Sequence, residues 1–522
     1  MSLHTRTCFE FTKPQKIEKL LDKLVEHFNL QLVDDTRRRV QWLDTFDWQL
    51  YKAGLSLSSL DENNNHTLRL QQLPEGDIIA QQPIATTPLF ADELPPSRLS
   101  KHLPSAFPPR ALLPQARQSE TTQIWALLDE EKKTRARIEY HAIKPMVNGA
   151  TPLPLLVLVQ LRGYENDAGE LYKWLSNRGA LQQLTFDRVY ERAFQCTPRQ
   201  PGVYSSKFSL GLDKQQTTDS ALRDILRHLL ENIEANIPGT IADTDSEFLH
   251  DLRVAVRRSR SALTRIKGVF PPSAVEKFNQ ELRWIGSITG TCRDLDVHLL
   301  ALPNMQNHLP SNLRSSLQAF ENYLHSRKTE EHGRLAELLR SPRMLDFLTE
   351  WRSFLNESPE GLTDTGAKTV QQTAGAATWK MYRRVIRDGQ ALTTESPAEH
   401  FHELRKDMKK LRYLMELFAS LYPGKIWKQQ LKLQKALQNI LGDFQDLEVQ
   451  AEAMLDNGRA LYARDDTTAE TLMALGILSE QLREQQAHSL DHFEDAFAEL
   501  AGEDCRKTFK KLCANPGKGG AK

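Results

Sequence analysis

The stretch His250–Arg260 reads HDLRVAVRRSR, and His402–Arg412 reads HELRKDMKKLR. Both open on His, carry Arg three residues on, place two basic residues at seven and eight, and put Arg at ten. A second shared element follows each copy, GTCRDLDV from Gly290 and GDFQDLEV from Gly442. The offset is 152 residues for both (402 − 250 and 442 − 290). Two motifs that keep one offset over so long a span identify a duplicated structural unit.

The spacing places chemistry on one side of a helix. At about 100° per residue, His250, Arg253, Arg257 and Arg260 fall within roughly one quarter of the wheel, as do His402, Arg405, Lys409 and Arg412. Arg258 and Lys410 stand beside them. Leu249, Leu252, Val256 and Leu263 occupy the neighbouring face, as do Leu404, Met408, Leu411 and Met415 in the second copy. Each copy is therefore read as an amphipathic helix with an apolar stripe for the core and a basic stripe alongside. Like charges three and four residues apart repel by a few tenths of a kcal/mol per pair, roughly. Asp251, Glu403 and Asp407 are the only acids nearby, so the stripes call for an external anion. The plain alternatives are a solvated basic face and a packed histidine. Neither motif has the second His four residues on that a helical zinc site requires, so no metal is expected.

Lys380, Arg383, Arg384 and Arg387 form a further stripe before the second copy and are read as secondary candidates. Arg223, Arg227 and His228 are the leaner counterpart. Ile285, Ile288, Leu437, Ile440 and Leu441, ahead of Gly290 and Gly442, mark a buried helix whose glycines permit close contact or a break. Asp294 and Asp446 are placed to cap a helix or hold an arginine of the stripe.

The paired H-x-x-R-x-x-x-[RK]-[RK]-x-R and G-x-x-x-D-L-[DE]-V motifs resemble the CHAD family, the conserved histidine α-helical domain, over Leu212–Cys513. The resemblance implies an all-helical domain of two pseudo-symmetric four-helix bundles that binds inorganic polyphosphate along a basic channel between the halves. It implies polyphosphate contacts from His250, Arg253, Arg257, Arg258 and Arg260, and from His402, Arg405, Lys409, Lys410 and Arg412. Charge chemistry agrees: a linear polyphosphate has no bases to stack, so Arg forks and Lys point charges suit it. The two stripes contain no aromatic residue, which disfavours the base stacking typical of single-strand nucleic-acid modules.

From Leu3 to about Gln195 the pattern changes to short alternating segments: RTCFEFT, RVQWLDTFDW, LSLSSL, HTLRLQQL, QIWALL, RARIEYHAI and LLVLVQLRG. Lys16–Phe28 and Gly169–Gly179 read as helices. The expectation is an α+β antiparallel, barrel-like domain. The order of elements resembles a CYTH domain, the triphosphate-tunnel fold, which often precedes a CHAD domain. That family opens on Glu-x-Glu-x-Lys, where His4, Arg6 and Cys8 stand here. Ser56 and Ser58 replace its strand arginines, Gln71 replaces a lysine, and PLPLLVLVQLRG lacks its alternating glutamates. Metal-assisted triphosphate hydrolysis needs carboxylates and cations together. The domain is therefore expected to be catalytically degenerate, with no catalytic residue. Arg69, Arg135, Arg137 and Glu139 alternate on strands and are read as an exposed strand face, with tunnel lining as the alternative.

The 522 residues suffice for two or three domains. The 68 basic and 68 acidic residues balance, so any polyanion site rests on local clustering. Five scattered cysteines, Cys8, Cys196, Cys292, Cys505 and Cys513, argue against a disulfide framework and read as reduced thiols. The start of the chain lacks the layout of a signal peptide, and no apolar run suffices to span a bilayer. The expected organisation is a CYTH-like domain at 1–195, a linker at 196–213, helical repeats at about 214–360 and 361–513, and a disordered tail at 514–522. Asp92–Gln118 reads as a proline-rich mobile excursion, and Gly361–Thr378 as a hinge or long connection.

The functional expectation is a cytoplasmic, non-enzymatic polyphosphate binder, associated with polyphosphate granules, without cofactor or membrane partner. A metal-dependent triphosphatase in the N-terminal domain, a nucleic-acid binder and a scaffold for an acidic partner are the alternatives. Oligomeric state is not legible.

Overall fold

The computed structural model describes residues 4–103, 109–195, 197–357, 361–393, 396–464 and 467–514. Cys196 and the tail 515–522 lie outside them. The chain forms two units, Met1–Ser206 and Lys207–Lys522. The first is an antiparallel sheet with helices and the second is all-helical, the architecture expected from the sequence.

The strands of the first unit are β1 (His4–Phe11), β2 (Gln31–Asp44), β3 (Leu55–Glu62), β4 (Asn65–Gln72), β5 (Ile78–Ile84), β6 (Leu113–Leu128), β7 (Thr134–Pro145), β8 (Leu153–Leu161) and β9 (Leu181–Leu184). They pair in the order β5-β4-β3-β2-β6-β7-β8-β1-β9. Its helices are α1 (Ile17–Phe28), α2 (Gln49–Lys52), α3 (Arg98–His102), α4 (Glu165–Ser176) and α5 (Phe186–Ala193). Period-two alternation sorts side chains between two faces. Phe9, Phe11, Trp125, Ile138, Leu156 and Leu158 pack against Leu21 and Leu24 of α1 and Leu171 and Leu175 of α4. Residues of opposite parity face an interior that α5 closes with Phe186 and Val189.

Asp92–Gln118 contains structure that its prolines conceal. Ser97 caps α3 by accepting from the Ser100 N–H at 3.2 Å, and Leu113–Gln118 opens β6. The stretch read as a linker is divided between the units. Arg199 stacks over Phe46, its Cζ 3.8 Å from the ring centroid, whereas Leu212 is buried in the core of the second unit.

The second unit comprises α6 (Thr218–Ile241), α7 (Ser246–Arg265), α8 (Pro272–Ile288), α9 (Gly290–His308), α10 (Gln318–Leu339), α11 (Pro342–Asn356), α12 (Val370–Gly389), α13 (Ala398–Leu417), α14 (Gly424–Ala463), α15 (Ala469–Ser489), α16 (Phe493–Ala501) and α17 (Glu503–Phe509). The duplication is visible in the backbone. Helices α6 and α12, α7 and α13, and α8 and α14 each begin 152 residues apart (370 − 218, 398 − 246, 424 − 272). Thr217 and Thr369, the N-caps of α6 and α12, form a β-bridge with each other. Gly361–Thr378 is thus a connection only in its first half, since α12 starts at Val370.

The copies share one core. Leu252, Val256 and Leu263 of α7 belong to the same buried cluster as Leu404, Met408, Leu411 and Met415 of α13. A second, distal cluster joins Leu302, Phe320 and Leu324 to Met454, Leu461, Leu475 and Leu478. The copies differ at their glycines. In the first, Thr289 separates α8 from α9, its hydroxyl donating to the Ile285 carbonyl at 2.7 Å. In the second, Leu441 stands at that position and α14 runs unbroken for 40 residues.

Candidate functional site

Helix α7 starts on Asp245, whose carboxylate accepts from the N–H groups of Glu247 at 2.9 Å and Phe248 at 3.2 Å. Its apolar stripe faces the shared core, and α7 packs directly on α13. That packing sets the two basic stripes side by side. Arg258 of α7 donates to Glu416 of α13 at 3.2 Å, both side chains about six-sevenths buried. The Lys409 ammonium is pushed down to about 8, first by burial and then by Arg405, Arg257 and Arg412. Arg257 lies on the opposite copy, so charges of the two stripes repel across the seam.

Arg253 donates to the Gly286 carbonyl at 3.0 Å and to Thr289 Oγ1 at 2.8 Å. Its pKa is lowered by burial and then by Arg257. Arg260 is lowered by burial, then by Arg283 and Arg265. The counterpart of Arg253, Arg405, pairs with Asp446 at 2.6 Å, so Asp446 holds an arginine of the stripe. Asp294 acts on Arg253 at longer range only. Lys410 is turned to Asp407 at 2.5 Å, a carboxylate that Arg384 also reaches at 2.5 Å. Among the described residues, the buried Nε–H groups of Arg260, Arg405 and Arg412 donate to no acceptor. Each such orphan costs on the order of 1–3 kcal/mol unless an acceptor arrives.

The stripes thus bring together Arg253, Arg257, Arg258, Arg260, Arg405, Lys409 and Arg412. The secondary candidates divide. Lys380 and Arg383 are exposed on α12, with Arg383 over the Trp379 ring. Arg384 and Arg387 are engaged by Asp407 and Asp388. Two basic residues beyond the initial reading join the seam, Arg283 beside Arg260 and Lys435 beside Glu416. They also lie 152 residues apart (435 − 283), a signal present in the sequence.

The histidines differ between copies. His402 Nδ1 donates to Gln445 Oε1. Arg293 holds the position equivalent to Gln445 and cannot accept from an imidazole; its Nη1 lies 3.9 Å from Glu247. There Glu247, His250 and Asp251 offer three potential metal-ligand atoms within 4.8 Å of one another. The donor types recur at Glu399, His402 and Glu403, but Glu403 pairs with Lys406 at 2.7 Å.

In the first unit, the sheet interior holds a cavity of about 60 Å³ lined among others by Arg6, Arg38, Arg69, Gln71, Glu120 and His141. Arg6 grips Glu139 through Nη1 at 3.2 Å and Nη2 at 2.5 Å, and Arg38 donates to Glu120 at 2.7 Å. His141 stands between the acids, Nδ1 2.5 Å from Glu120 and Nε2 3.0 Å from Glu139. Burial would lower the imidazolium pKa, but hydrogen bonds to both carboxylates outweigh it and raise the value. Burial would raise both acids, yet Arg38 and His141 hold Glu120 far down, and Arg6 and His141 do the same for Glu139. Arg69 is lowered to about 10, by burial and then by Arg38 and Arg6.

Reading Arg69, Arg135, Arg137 and Glu139 as one exposed face is therefore corrected. Arg69 and Glu139 are interior, Arg137 is exposed, and Arg135 pairs with Asp167 of α4. Interior acids do exist, supplied by β6 and β7 and not by β8. Their lone pairs are engaged by Arg6, Arg38, Thr122 and His141, so this donor set does not fit a divalent metal.

Residues 224–455 match the model of the CHAD domain. The chain carries a CHAD domain. Among solved structures, the CHAD domain from the plant Ricinus communis is similar at 24% identity, covering 56% of this chain and 95% of that one, with a TM-score of 0.47. PptA from Streptomyces chartreusis is similar at 17% identity, covering 54% and 99%, with a TM-score of 0.44. The putative adenylyl cyclase HpAC1 from Hippeastrum, described as having a dominant triphosphatase activity, is similar at 15% identity, covering 34% of this chain and 88% of its own, with a TM-score of 0.26. No curated protein matches the chain. No helix among the described residues is long and apolar enough to cross a membrane.

Proposed function

We propose that this protein binds inorganic polyphosphate along the α7–α13 seam of its CHAD domain and does not hydrolyse it. The supporting observation is the seam itself. Arg257 and Lys409 of opposite copies repel, and among the described residues the buried Nε–H groups of Arg260 and Arg405 lack acceptors. A chain of phosphates supplies about one negative charge per unit and many acceptor oxygens, which answers both deficits. A nucleic acid would answer the charge, but the stripes offer its bases no aromatic surface. Binding at polyphosphate granules in the cytoplasm follows from this reading as the setting in which such a seam would act.

The N-terminal unit is proposed to be catalytically inert, because both interior acids are neutralised by neighbouring cations. Two measurements test the whole reading. Retention on immobilised polyphosphate should disappear when Arg253, Arg257, Arg405 and Lys409 are all changed to Glu; undiminished retention would remove the binding assignment. Tripolyphosphate incubated with magnesium or manganese should release no phosphate above background, and enzyme-like turnover would overturn the inert N-terminal unit.

A further inference from the structure

Glu416 is an acid at the centre of a cationic seam. Three basic groups from three helices converge on its carboxylate: Arg258 of α7 at 3.2 Å, Arg412 of α13 at 3.6 Å and Lys435 of α14 at 4.0 Å. The side chain is 15% exposed, so these attractions are only partly screened by water. The first copy has no such acid. Thr264 stands 152 residues earlier (416 − 264), and its hydroxyl is spent on the Arg260 carbonyl at 2.6 Å. Arg260 and its neighbour Arg283, the counterparts of Arg412 and Lys435, thus repel each other, with no carboxylate acting on Arg260 among the described residues.

We infer that Glu416 is a specificity-determining residue, a built-in anion that holds cations of both copies, Arg258, Arg412 and Lys435, until a denser polyanion displaces it. The inference rests on the polyphosphate reading and deepens it. An intramolecular carboxylate competes without losing translational freedom, so an isolated phosphate gains little by replacing it. A chain of successive phosphates anchored on Arg253, Arg257 and Arg260 delivers its next charges to Arg258, Arg412 and Lys435 at high effective concentration. Discrimination then arises from a competing interaction as well as from attraction. Long chains engage this carboxylate-held group as well, whereas short ones are confined to Arg253, Arg257 and Arg260.

The test compares the full-length protein with Glu416→Gln, titrating tripolyphosphate and long-chain polyphosphate at several salt concentrations. The variant should bind tripolyphosphate about 5- to 10-fold more tightly, the scale of one hydrogen bond regained. Long-chain polyphosphate should gain less, so the preference for length narrows. Because Glu416→Gln also removes a partner of the buried Arg258, Thr264→Glu serves as the reciprocal variant. It builds the missing carboxylate in the first copy and should weaken tripolyphosphate binding by a similar factor. Unchanged or weaker binding by folded Glu416→Gln would show that the carboxylate merely positions its arginines, and would overturn the inference. If Glu416→Gln does not fold, unaltered binding by Thr264→Glu overturns it. Failure of the parent protein to bind either probe would instead remove the polyphosphate reading, and the inference with it.

Discussion

Inside the first unit, Arg6 and Arg38 meet Glu139 and Glu120, with His141 wedged between the acids. Along the seam of the second, Arg253 meets the Gly286 carbonyl and the Thr289 hydroxyl, and Arg253, Arg257, Arg260 and Lys409 are set among other cations. Both regions concentrate positive charge on adjacent elements, yet in the seam carboxylates answer only part of it: Asp446 takes Arg405 and Glu416 takes Arg258, while Arg257 and Lys409 repel each other. An internally neutralised cluster is a structural device, because its Coulomb energy is already spent on folding. A cluster left in mutual repulsion stores unfavourable energy that an incoming anion relieves. The difference separates a lined interior from a binding surface more clearly than a count of basic residues does.

The largest effect that would break this contrast lies in the first unit. Glu139→Ala strands Arg6 and His141 in a buried setting, and unfolding of that unit should lose roughly 3–5 kcal/mol, measured by denaturant titration. Polyphosphate binding by the seam of the second unit should be unchanged. Stability insensitive to this substitution would show that the interior charges are not a folding device.

The mirror experiment is Arg257→Ala. It removes an exposed repulsive charge, so stability should change by less than about 0.5 kcal/mol. Polyphosphate affinity should fall about 10-fold, with the slope of log Kd against log salt shallower by roughly 0.7 to 0.9. Equal salt slopes for parent and variant would place Arg257 outside the contact.

Titration sharpens the contrast further. Lys409, depressed to about 8 by burial, Arg405, Arg257 and Arg412, sheds its proton in the folded chain before it would in the unfolded one. Between about 8 and the unfolded value near 10.4 the unfolded chain binds more protons, so this residue makes stability rise with pH there. Binding behaves oppositely. A bound phosphate favours the ammonium, so affinity should decline above pH 8 with proton uptake, seen as a buffer-dependent binding enthalpy. Lys409→Arg should abolish that uptake. In the first unit, the raised pKa of His141 gives stability present below about 6.5 and lost as pH climbs through the folded value.

The smallest effect is expected on α12. Lys380→Ala combined with Arg383→Ala should alter polyphosphate affinity less than about 2-fold, as solvated charges outside a contact usually do. A loss matching that of Arg257→Ala would extend the binding surface onto α12.

Much of the second unit was legible because a duplicated pattern of period 3.6 prints itself twice. The 152-residue offset of the two motifs recurs in the starts of three pairs of helices and, for α6 and α12, in their threonine caps. Legibility failed where chemistry depends on what lies opposite. Lys410 shares the register of Arg258 but turns to Asp407, and Arg384 is drawn to the same acid. In the first unit, alternation identified most strands, while short β5 and β9 and the opening of β6 were missed, the last behind prolines. Glu120 lies just past that stretch, and His141 repeats the parity of Glu139 on β7. Both were visible as letters, but nothing local said that β2, β6 and β7 would align Arg38 with Glu120 and Thr122 with His141.

What the sequence determined by itself is therefore the repeat, the helix faces and the clustering of cations upon them, because periodicity and charge are local properties of a chain. Which cations find an acid and which are left facing one another was decided only by the tertiary structure. Ion pairing depends on distances of a few ångströms between residues far apart in sequence, and packing alone sets those distances.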